Sequence, residues 1–386
     1  MRFVAAAFVI FAVLGWAYFL VSIQNPKHHS YIWLNEAGDK ALVLFWTPYF
    51  GVRNGNPHKI LSIAKKSYPE ECFRNCEITF DRKRIKEAHA IVLHERDMKK
   101  SDMPEIRAAS QLWVFLAQES PIVTTNILKT FPGVFNWTMT YRRDSDVFHP
   151  YAKIVPKHEL NESSTRETVE LNVFLAGKTK LVVGVISNCF TNSKRENVIK
   201  QLKKQGLTID IFGKCGSPTC PRGGNSSCFE SELWTKLGKE YKFYLAFENA
   251  LCWDYVTEKF FRTLEYGLVP IVYGGADYNN IAPPNSFINV ENFESPKELA
   301  NFLKKLDKNQ GKYRKYRKYF QWRKTFNVVH GDAWCTLCQK VRKHNLKRKL
   351  GKKHVPQSYD QLNEWWFNYE YHAEHKSACR KSRWVK

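Results

Sequence analysis

Residues 241–275 read YKFYLAFENALCWDYVTEKFFRTLEYGLVPIVYGG, with two apolar runs on either side of a polar loop and an amphipathic segment. The runs KFYLAF and VPIVY are short and rich in aromatic or β-branched residues, which is typical of buried strands. Between them, Phe260, Phe261 and Leu264 recur at helical spacing, and Gly267 stands where a helix would end. The order strand, helix, strand predicts a βαβ unit with parallel strands.

The loop before this helix gathers charged and hydroxyl side chains between Glu248 and Lys259. In open α/β sheets, ligands bind at the carboxyl ends of the strands, where such loops lie. With Thr257 as the N-cap, the first turn would direct backbone N–H groups and the ammonium of Lys259 towards that edge. The pattern predicts an anion site suited to phosphate, and an ordinary βαβ unit with a solvated loop is the alternative.

The N-terminus carries a long apolar segment. Residues 3–23 contain no charge and only Ser22 is polar, which is long enough to span a bilayer at roughly 20 residues. A cleavable signal peptide is the alternative, but its apolar region is usually about 7–15 residues and ends in a small-residue cleavage site, which LVS matches poorly. We therefore expect residues 1–23 to form a signal-anchor transmembrane helix and residues 24–39 a stem. The few flanking basic residues favour a cytoplasmic N-terminus, which would place the rest of the chain in the lumen.

Ten cysteines, an even number, are typical of disulfide bonds formed in an oxidising compartment. Cys335 and Cys338 have the C-x-x-C spacing of half a zinc site, but no second C-x-x-C or H-x3-H pair lies at the usual spacing. Asn161 and Asn225 lie in polar N-x-S/T sequons and are expected to carry glycans. Together these features predict a disulfide-bonded lumenal glycoprotein.

The formal net charge is +23, and much of it is concentrated late in the chain. Between Gly311 and Lys353, 15 residues are Lys or Arg and one, Asp332, is acidic. Such a basic stretch with interleaved aromatic residues would suit nucleic acid. No recognised nucleic-acid motif accompanies it, and a lumenal chain would not meet nucleic acid. We therefore expect no nucleic-acid partner, and we interpret the stretch as a solvated helix face followed by a basic tail.

Two series of strands and helices divide the remaining sequence. The first has predicted strands at 41–46, 90–94 and 112–117, and the second has strands at 180–186 and 207–212, a helix at 195–204 and then the 241–275 unit. The polar stretch 157–170 has no apolar periodicity and is the best linker candidate. The predicted fold is α/β, with two Rossmann-like domains at 40–160 and 161–345 that face each other across a cleft, and a basic tail at 346–386. No G-x-G-x-x-G follows a strand, so a dinucleotide fingerprint is absent.

Polar residues follow several predicted strands, at the edge where ligands would bind. Glu119 follows the strand at 112–117, and a carboxylate in a partly dry cleft can be tuned for proton abstraction, although an ordinary turn acid is the alternative. The adjacent Arg142 and Arg143 suit bidentate phosphate contacts or structural ion pairs. Arg195, near a predicted helix start, would face either the same edge or solvent.

These segments together resemble the α1,3-fucosyltransferases of glycosyltransferase family ten. The motifs that carry the resemblance are LFWTPYFG (44–51), QESP (118–121), NWTMTYRRDSD (136–146), Ser187-Asn188 with Arg195, FYLAFEN (243–249), DYVTEKFFRTLEYGLVPIVYGG (254–275), PPNSFINVENFESPKELANFLKKLDKN (283–309) and WCTLC (334–338). The resemblance covers about residues 41–341, and FYLAFEN followed by DYVTEK is its most specific part. It implies a GT-B fold, with the acceptor held by the N-terminal domain and GDP-fucose by the C-terminal domain, in a type II Golgi membrane protein with lumenal catalytic domains.

The resemblance also implies a reaction and its residues. Fucose would pass from β-linked GDP-fucose to a GlcNAc hydroxyl of a glycan in α1,3 linkage, with inversion and with Glu119 as general base. Arg195 and Lys259 would neutralise the departing diphosphate. The other residues expected to bind the donor are Tyr255, Glu258, Asn249, Glu248, Tyr141 and Arg143. No metal ligand or obligatory cofactor is expected, since the D-x-D string at 144–146 is interpreted as structural, and stimulation by a divalent cation such as Mn²⁺ stays open.

The chain departs from vertebrate members of the family in places. Ala250-Leu251-Cys252 stands where those members commonly have serine and other residues, so this loop is a candidate for an extra disulfide. VYGGADY (272–278) and the long basic tail resemble invertebrate members. They leave the acceptor open between the core GlcNAc of N-glycans and antennal LacNAc or LacdiNAc. The alternative function is an inactive relative that binds a glycan or nucleotide sugar, but Glu119, Arg195 and Lys259 are all retained.

Overall fold

The computed structural model describes residues 40–51, 71–124, 126–156, 177–216, 231–316, 326–330, 332–350, 357–368 and 377–384. The predicted anchor and stem, and the expected glycosylation sites Asn161 and Asn225, lie outside these residues. Among the residues that are described, no helix is both long enough and apolar enough to cross a membrane.

The first sheet has six parallel strands in the order β2-β1-β3-β4-β5-β6. These strands are β1 (Ala41–Phe45), β2 (Cys76–Thr79), β3 (Ala90–His94), β4 (Leu112–Ala117), β5 (Trp137–Thr140) and β6 (Val147–Phe148). Every residue of β1, β3 and β4 is buried, because both faces of a parallel sheet are covered, and these strands are accordingly continuous apolar runs. The predicted bounds of β3 and β4 are confirmed, whereas β1 ends one residue earlier than predicted.

The second sheet has five parallel strands in the order β13-β12-β10-β8-β9. The strands of this sheet are β8 (Lys180–Val185), β9 (Ile209–Phe212), β10 (Tyr241–Phe247), β12 (Val269–Tyr273) and β13 (Ile288–Asn289). Two separate antiparallel pairs join β7 (Lys153–Pro156) to β14 (Phe326–Val329) and β11 (Leu251–Cys252) to β15 (Cys379–Arg380). The 241–275 segment supplies β10 and β12, which are parallel neighbours as predicted.

Helices connect and cover the strands. The α-helices are α1 (Glu71–Arg74), α2 (Arg195–Lys204), α3 (Ser231–Glu240), α4 (Glu258–Glu265), α5 (Pro296–Lys308), α6 (Gln310–Lys315), α7 (Asp332–Lys349) and α8 (Leu362–Phe367), and short 3-10 turns include Glu95–Asp97 and Pro121–Val123. The helix predicted at 195–204 is confirmed as α2. Gly267 follows α4 with φ of +73°, a left-handed conformation that glycine adopts without strain, so the predicted helix end is also confirmed.

Both sheets have apolar cores on their two faces, and C-terminal helices complete those of the first sheet. Trp334 and Leu337 of α7 pack with β1 residues on one face. On the other face, Trp366 of α8 is fully buried and its ring lies 5.5 Å from that of Phe115 in β4. The chain therefore returns to its first sheet after completing the second.

The sequence predicts a basic tail at 346–386, but part of this range is packed against the rest of the protein. Within the described part of this range, α8 is packed against the first sheet, and Cys379 is bonded to Cys252 beside the second. Sequence reasoning failed here because a short helix with two tryptophans has too few turns to display a period.

The predicted disulfide-bonded character is confirmed. The bonds Cys76–Cys338, Cys189–Cys215 and Cys252–Cys379 join segments 262, 26 and 127 residues apart. Cys335 is also disulfide-bonded, so both cysteines of the C-x-x-C motif are used in this way.

Candidate active site

The predicted base and the predicted donor loop meet in the fold. Glu119 follows β4, and the 248–257 loop follows β10, so each lies at the carboxyl edge of its parallel sheet. Tyr255 of this loop donates a hydrogen bond to Glu119, with 3.1 Å between Oη and Oε2. These two residues are 136 positions apart in the sequence.

Tyr255 reaches Glu119 from an aromatic environment. Its side chain is buried, and its ring centre lies 5.0 Å from that of Tyr141 and 6.3 Å from that of Tyr151. Burial raises the pKa of the Tyr255 hydroxyl well above its usual value, and the nearby negative charges act in the same direction. The hydroxyl therefore stays protonated and serves as a donor to the carboxylate of Glu119.

Glu248 is fully buried, and both of its oxygens are engaged inside the protein. Its Oε1 accepts a hydrogen bond of 2.8 Å from the Thr257 backbone N–H, and its Oε2 lies 3.3 Å from Lys259 Nζ. Burial raises the pKa of this carboxyl. Thr257 is the N-cap residue, as predicted, although its side chain makes no capping hydrogen bond, and its own N–H is directed to Glu248. Glu248 therefore holds the start of α4 and Lys259 in place.

Lys259 lies between two carboxylates in the first turn of α4. Its ammonium is 3.3 Å from Glu248 and from Glu258, and it donates to Thr257 Oγ1 at 2.7 Å. Burial opposes its charge, but the two carboxylates outweigh burial and raise the pKa of Lys259. Burial opposes the charge of Glu258 too, but the charge of Lys259, hydrogen bonds and the charge of Arg262 together outweigh burial and lower the pKa of Glu258. The site thus keeps a permanent cation at the edge where the sequence predicts phosphate.

Arg195 supplies a second buried cation, at the first position of α2. Its guanidinium donates to the backbone carbonyls of Phe247 at 2.7 Å and Asn188 at 3.0 Å, at the ends of β10 and β8. Burial lowers the pKa of this side chain, though an arginine remains charged. Within the described ranges, Arg195 Nε and Asn249 Oδ1 are buried without a hydrogen-bond partner. Buried polar atoms are almost always paired, so both are available to a ligand.

The residue before Glu119 is held from three directions. The Tyr49 hydroxyl donates to Gln118 Oε1, and the Tyr151 hydroxyl donates to the Gln118 carbonyl at 3.0 Å. The Gln118 amide nitrogen lies 3.3 Å from His149 Nε2. Burial lowers the pKa of His149 to about 3, so this imidazole is neutral and can accept that hydrogen bond. Sequence reasoning missed Tyr49 and His149, although Tyr49 lies in the LFWTPYFG motif.

Glu95 is a second carboxyl at the same edge, and sequence reasoning also missed it. It follows β3, the neighbour of β4, and its side chain is buried. Burial raises the pKa of Glu95 to about 7, and the like charge of Glu119 adds to this shift. The hydroxyl of Thr124 acts in the opposite direction.

This shift predicts a pH dependence of stability. Because the pKa of Glu95 is about 7 in the folded protein and near 4.5 when unperturbed, folded Glu95 holds its proton more tightly. The stabilisation that comes from this tighter proton binding is complete below pH 4.5 and is lost as the pH rises through 7. The free energy of unfolding should fall by on the order of 3 kcal/mol over this range. We expect the change in the free energy of unfolding caused by Glu95→Gln to be more favourable at pH 8 than at pH 5, because the neutral amide avoids burying a charge at pH 8. Denaturant unfolding at both pH values measures this, with the exposed Glu87→Gln as control, and an equal effect at both would contradict it.

The loop after β5 joins the two halves of the site. The Arg143 backbone N–H donates to Asp254 Oδ2 at 3.0 Å, and its side chain donates to the Asn280 carbonyl at 3.3 Å. The Tyr141 side chain is buried in the core rather than exposed to an open cleft. Arg142, for which the sequence allows either phosphate contacts or a structural ion pair, is buried and pairs with Asp144 at 2.6 Å.

The D-x-D string is used inside the protein. Asp144 pairs with Arg142, and Asp146 accepts hydrogen bonds from the Thr138 N–H at 2.8 Å and the Tyr359 hydroxyl at 2.9 Å. No group of three or more His, Cys, Asp or Glu side chains in the described part of the chain is arranged to hold a metal ion.

Comparison with known proteins identifies the class of this α/β protein. A family model described as "Fucosyltransferase, N-terminal" matches residues 38–152, and one described as "Glycosyltransferase family 10 (fucosyltransferase) C-term" matches residues 175–366. A solved structure, "Crystal Structure of alpha1,3-Fucosyltransferase", aligns with a TM-score of 0.50 at 16% identity, covering 84% of this chain and 94% of that one. This similarity supports the fold alone, and it agrees with the predicted α/β arrangement of two parallel sheets.

Individual proteins similar to this chain are also named as fucosyltransferases. Alpha-(1,3)-fucosyltransferase C of Drosophila melanogaster is 36% identical over 293 residues, which cover 72% of this chain and 65% of the relative. A 3-galactosyl-N-acetylglucosaminide 4-alpha-L-fucosyltransferase of Bos taurus is 33% identical over 357 residues, covering 86% and 89%. Glycoprotein 3-alpha-L-fucosyltransferase A of Drosophila melanogaster is 34% identical, with 62% of its length covered. The chain belongs to glycosyltransferase family 10, the fucosyltransferases.

Proposed function

We propose that this protein transfers L-fucose from GDP-fucose to a GlcNAc hydroxyl of a glycan in α1,3 linkage, with inversion at the anomeric carbon. The observation that carries the proposal is the hydrogen bond between Tyr255 of the 248–257 loop and Glu119. It brings a carboxylate of the first sheet to the edge of the second sheet where Arg195 and Lys259 lie. Such a transfer requires a base for the acceptor hydroxyl and positive charge for the departing diphosphate.

Glu119 acts as the general base. It removes the proton from the acceptor hydroxyl as that oxygen attacks C1 of fucose, on the face opposite the GDP group. The bond between C1 and the diphosphate oxygen breaks, so the β-linked donor gives an α-linked product. The held position of Gln118 keeps the adjacent carboxylate oriented, which reduces the reorganisation needed at the moment of reaction.

Arg195 and Lys259 stabilise the leaving group. Negative charge grows on GDP as the bond to fucose breaks, and cations already fixed in position stabilise it without further reorganisation. Glu248 and Glu258 hold Lys259, while backbone carbonyls hold Arg195. Asn249 Oδ1 and Arg195 Nε are then free to contact the donor, and Glu258, Tyr255 and Arg143 complete that side of the site. Neither step requires a metal ion.

The proposal also concerns which glycan accepts the fucose. Related proteins act on 3-galactosyl- or 4-galactosyl-N-acetylglucosaminides according to their names, and one is named a glycoprotein fucosyltransferase. We propose a GlcNAc acceptor on a glycoprotein or glycolipid, either the N-glycan core or an antennal LacNAc or LacdiNAc unit. The site of action would be the Golgi lumen, with the chain held as a type II membrane protein.

A transfer assay tests the function. The full-length protein is incubated with GDP-fucose and a panel of core N-glycan, LacNAc and LacdiNAc acceptors, and the linkage of each product is determined by NMR. An α1,3-linked fucose on GlcNAc supports the proposal. Measurable binding of GDP-fucose without transfer to any acceptor would instead identify an inactive, nucleotide-sugar-binding relative.

A further inference from the structure

The C-terminal segment, residues 357–368 and 377–384, is joined directly to the 248–257 loop. Leu251 and Cys252 form an antiparallel pair with Arg380 and Cys379, and a disulfide links the two cysteines. The Trp253 N–H donates to the Ala378 carbonyl at 2.9 Å. A covalent bond and backbone hydrogen bonds therefore fix this loop three residues before Tyr255.

The second sheet anchors one end of the C-terminal segment. Arg380 donates to the Gly274 carbonyl at 3.2 Å, at the end of β12, and lies 3.2 Å from Glu291 Oε1. Arg383 donates to the Phe293 carbonyl at 2.7 Å and also pairs with Glu291. These contacts hold β15 against the carboxyl edge of the sheet rather than leaving it attached through the disulfide alone.

The first sheet anchors the other end. Trp366 of α8 is buried in the core, and its indole N–H donates to Thr124 Oγ1 at 2.9 Å, close to the Glu119 turn. Arg142 donates to the Asn368 carbonyl at 2.7 Å and to the Trp365 carbonyl. The Ala378 N–H donates to the Phe367 carbonyl at 2.9 Å, which connects this end to β15.

The geometry of the turn makes Tyr255 depend on these anchors. Its N–H donates to the Cys252 carbonyl at 3.3 Å, and Asp254 between them has φ of +57°, a left-handed conformation that is uncommon outside glycine and that aspartate adopts at a smaller cost than most residues. Contacts from other segments hold such a turn, and the Arg143 N–H contributes one of them through Asp254. Here its first residue is held by the disulfide, and its last is the tyrosine whose hydroxyl reaches Glu119.

We propose that the C-terminal segment is a positioning element of the active site, in which the Cys252–Cys379 bond holds the 252–255 turn so that Tyr255 orients Glu119. The inference rests on the proposed role of Glu119 as base. The disulfide does not touch substrate, and it acts through Tyr255. Breaking it leaves the base present but allows the turn to relax, so the Tyr255 hydroxyl is no longer kept at hydrogen-bond distance from the carboxylate.

A double-mutant cycle separates positioning from mere stabilisation. The four full-length proteins are the wild type, Tyr255→Phe, Cys252→Ser/Cys379→Ser, and the triple variant, and kcat is measured at saturating GDP-fucose and acceptor. We expect Tyr255→Phe and the disulfide variant each to lower kcat by about 10–100-fold, the usual worth of a hydrogen bond to a charged group. The triple variant should be close to the slower of these two, because both changes remove the same interaction. Effects that multiply would overturn the inference.

Two further measurements keep the result decisive. The Cys76→Ser/Cys338→Ser variant is the matched control, because that disulfide joins β2 to α7, away from the 248–257 loop. We expect this variant to lower the Tm. Any effect that it has on kcat should multiply with the effect of Tyr255→Phe. Should the Cys252/Cys379 variant fail to fold, Arg380→Ala replaces it in the cycle, and multiplying effects there would equally overturn the inference. A wild type that transfers no fucose would refute the proposed function instead, so the two failures are distinguishable.

Discussion

Glu119→Gln is expected to lower the turnover of fucose transfer by about 10²–10⁴-fold, which is the usual contribution of a general base. The amide cannot take up the proton of the acceptor hydroxyl, so this oxygen must attack C1 without losing its proton to the enzyme. GDP-fucose should still bind, because Arg195 and Lys259, the cations proposed for the diphosphate, lie on helices of the other half of the site. The measurement is kcat and the KM for GDP-fucose with the acceptor that the transfer assay identifies.

The substitution is conservative enough to separate chemistry from folding. In the Glu119→Gln variant, the oxygen of the new amide would still accept the hydrogen bond from Tyr255, so the local structure should persist. Glu87→Gln, which changes a carboxylate with a 61% exposed side chain, is the control and should leave turnover unchanged. A folded Glu119→Gln protein with near-full activity would contradict the assignment of the base.

Lys259→Ala is expected to reduce both stability and transfer. Glu248 is fully buried and its Oε2 lies 3.3 Å from Lys259, so the substitution leaves a buried carboxylate without its cation. Breaking a buried ion pair in this way costs about 3–5 kcal/mol in the free energy of unfolding. Transfer should fall as well, because the proposed diphosphate site loses one of its two cations. Denaturant unfolding and steady-state kinetics measure these losses.

A double variant separates the two effects. In Lys259→Ala/Glu248→Gln, the neutral amide needs no cation, and its oxygen can still accept from Thr257. We expect most of the stability to return while the KM for GDP-fucose stays raised and kcat stays low. Recovery of both kinetic constants together with stability would show that Lys259 acts only on Glu248 and would contradict its role at the diphosphate.

Local sequence patterns predicted the buried strands well. β3, β4 and β12 have the predicted bounds because a strand covered on both faces must be apolar at every position, which makes it visible as an uninterrupted run. β5 was not predicted as a strand, since Trp137–Thr140 is only four residues long and lies inside a segment interpreted by its charges. The helix α2 was predicted because its apolar residues repeat with helical period.

The candidate site was predicted residue by residue but not as an arrangement. Glu119, Arg195 and Lys259 were singled out from their places after strands or at helix starts. Their partners are set by the fold, as when Glu248 accepts the hydrogen bond from the Thr257 N–H and Tyr255 donates to Glu119 from 136 positions away. The sequence predicts that Tyr255 binds GDP-fucose, and the structure shows in addition that its hydroxyl donates a hydrogen bond to Glu119. Such pairings depend on which strands are neighbours in a sheet, and the order of the strands cannot be predicted from local sequence patterns.

The sequence by itself determined the family, the two parallel sheets and the charged residues at their edges, because apolar runs and short motifs are local properties. Only the tertiary structure decided that the C-terminal segment belongs to both halves, with Trp366 in the first core and Cys379 bonded to Cys252. The physical reason is that burial and disulfide pairing depend on contacts between segments far apart in the chain. A chain segment that is short and rich in basic residues gives no sign of the surface that will cover it.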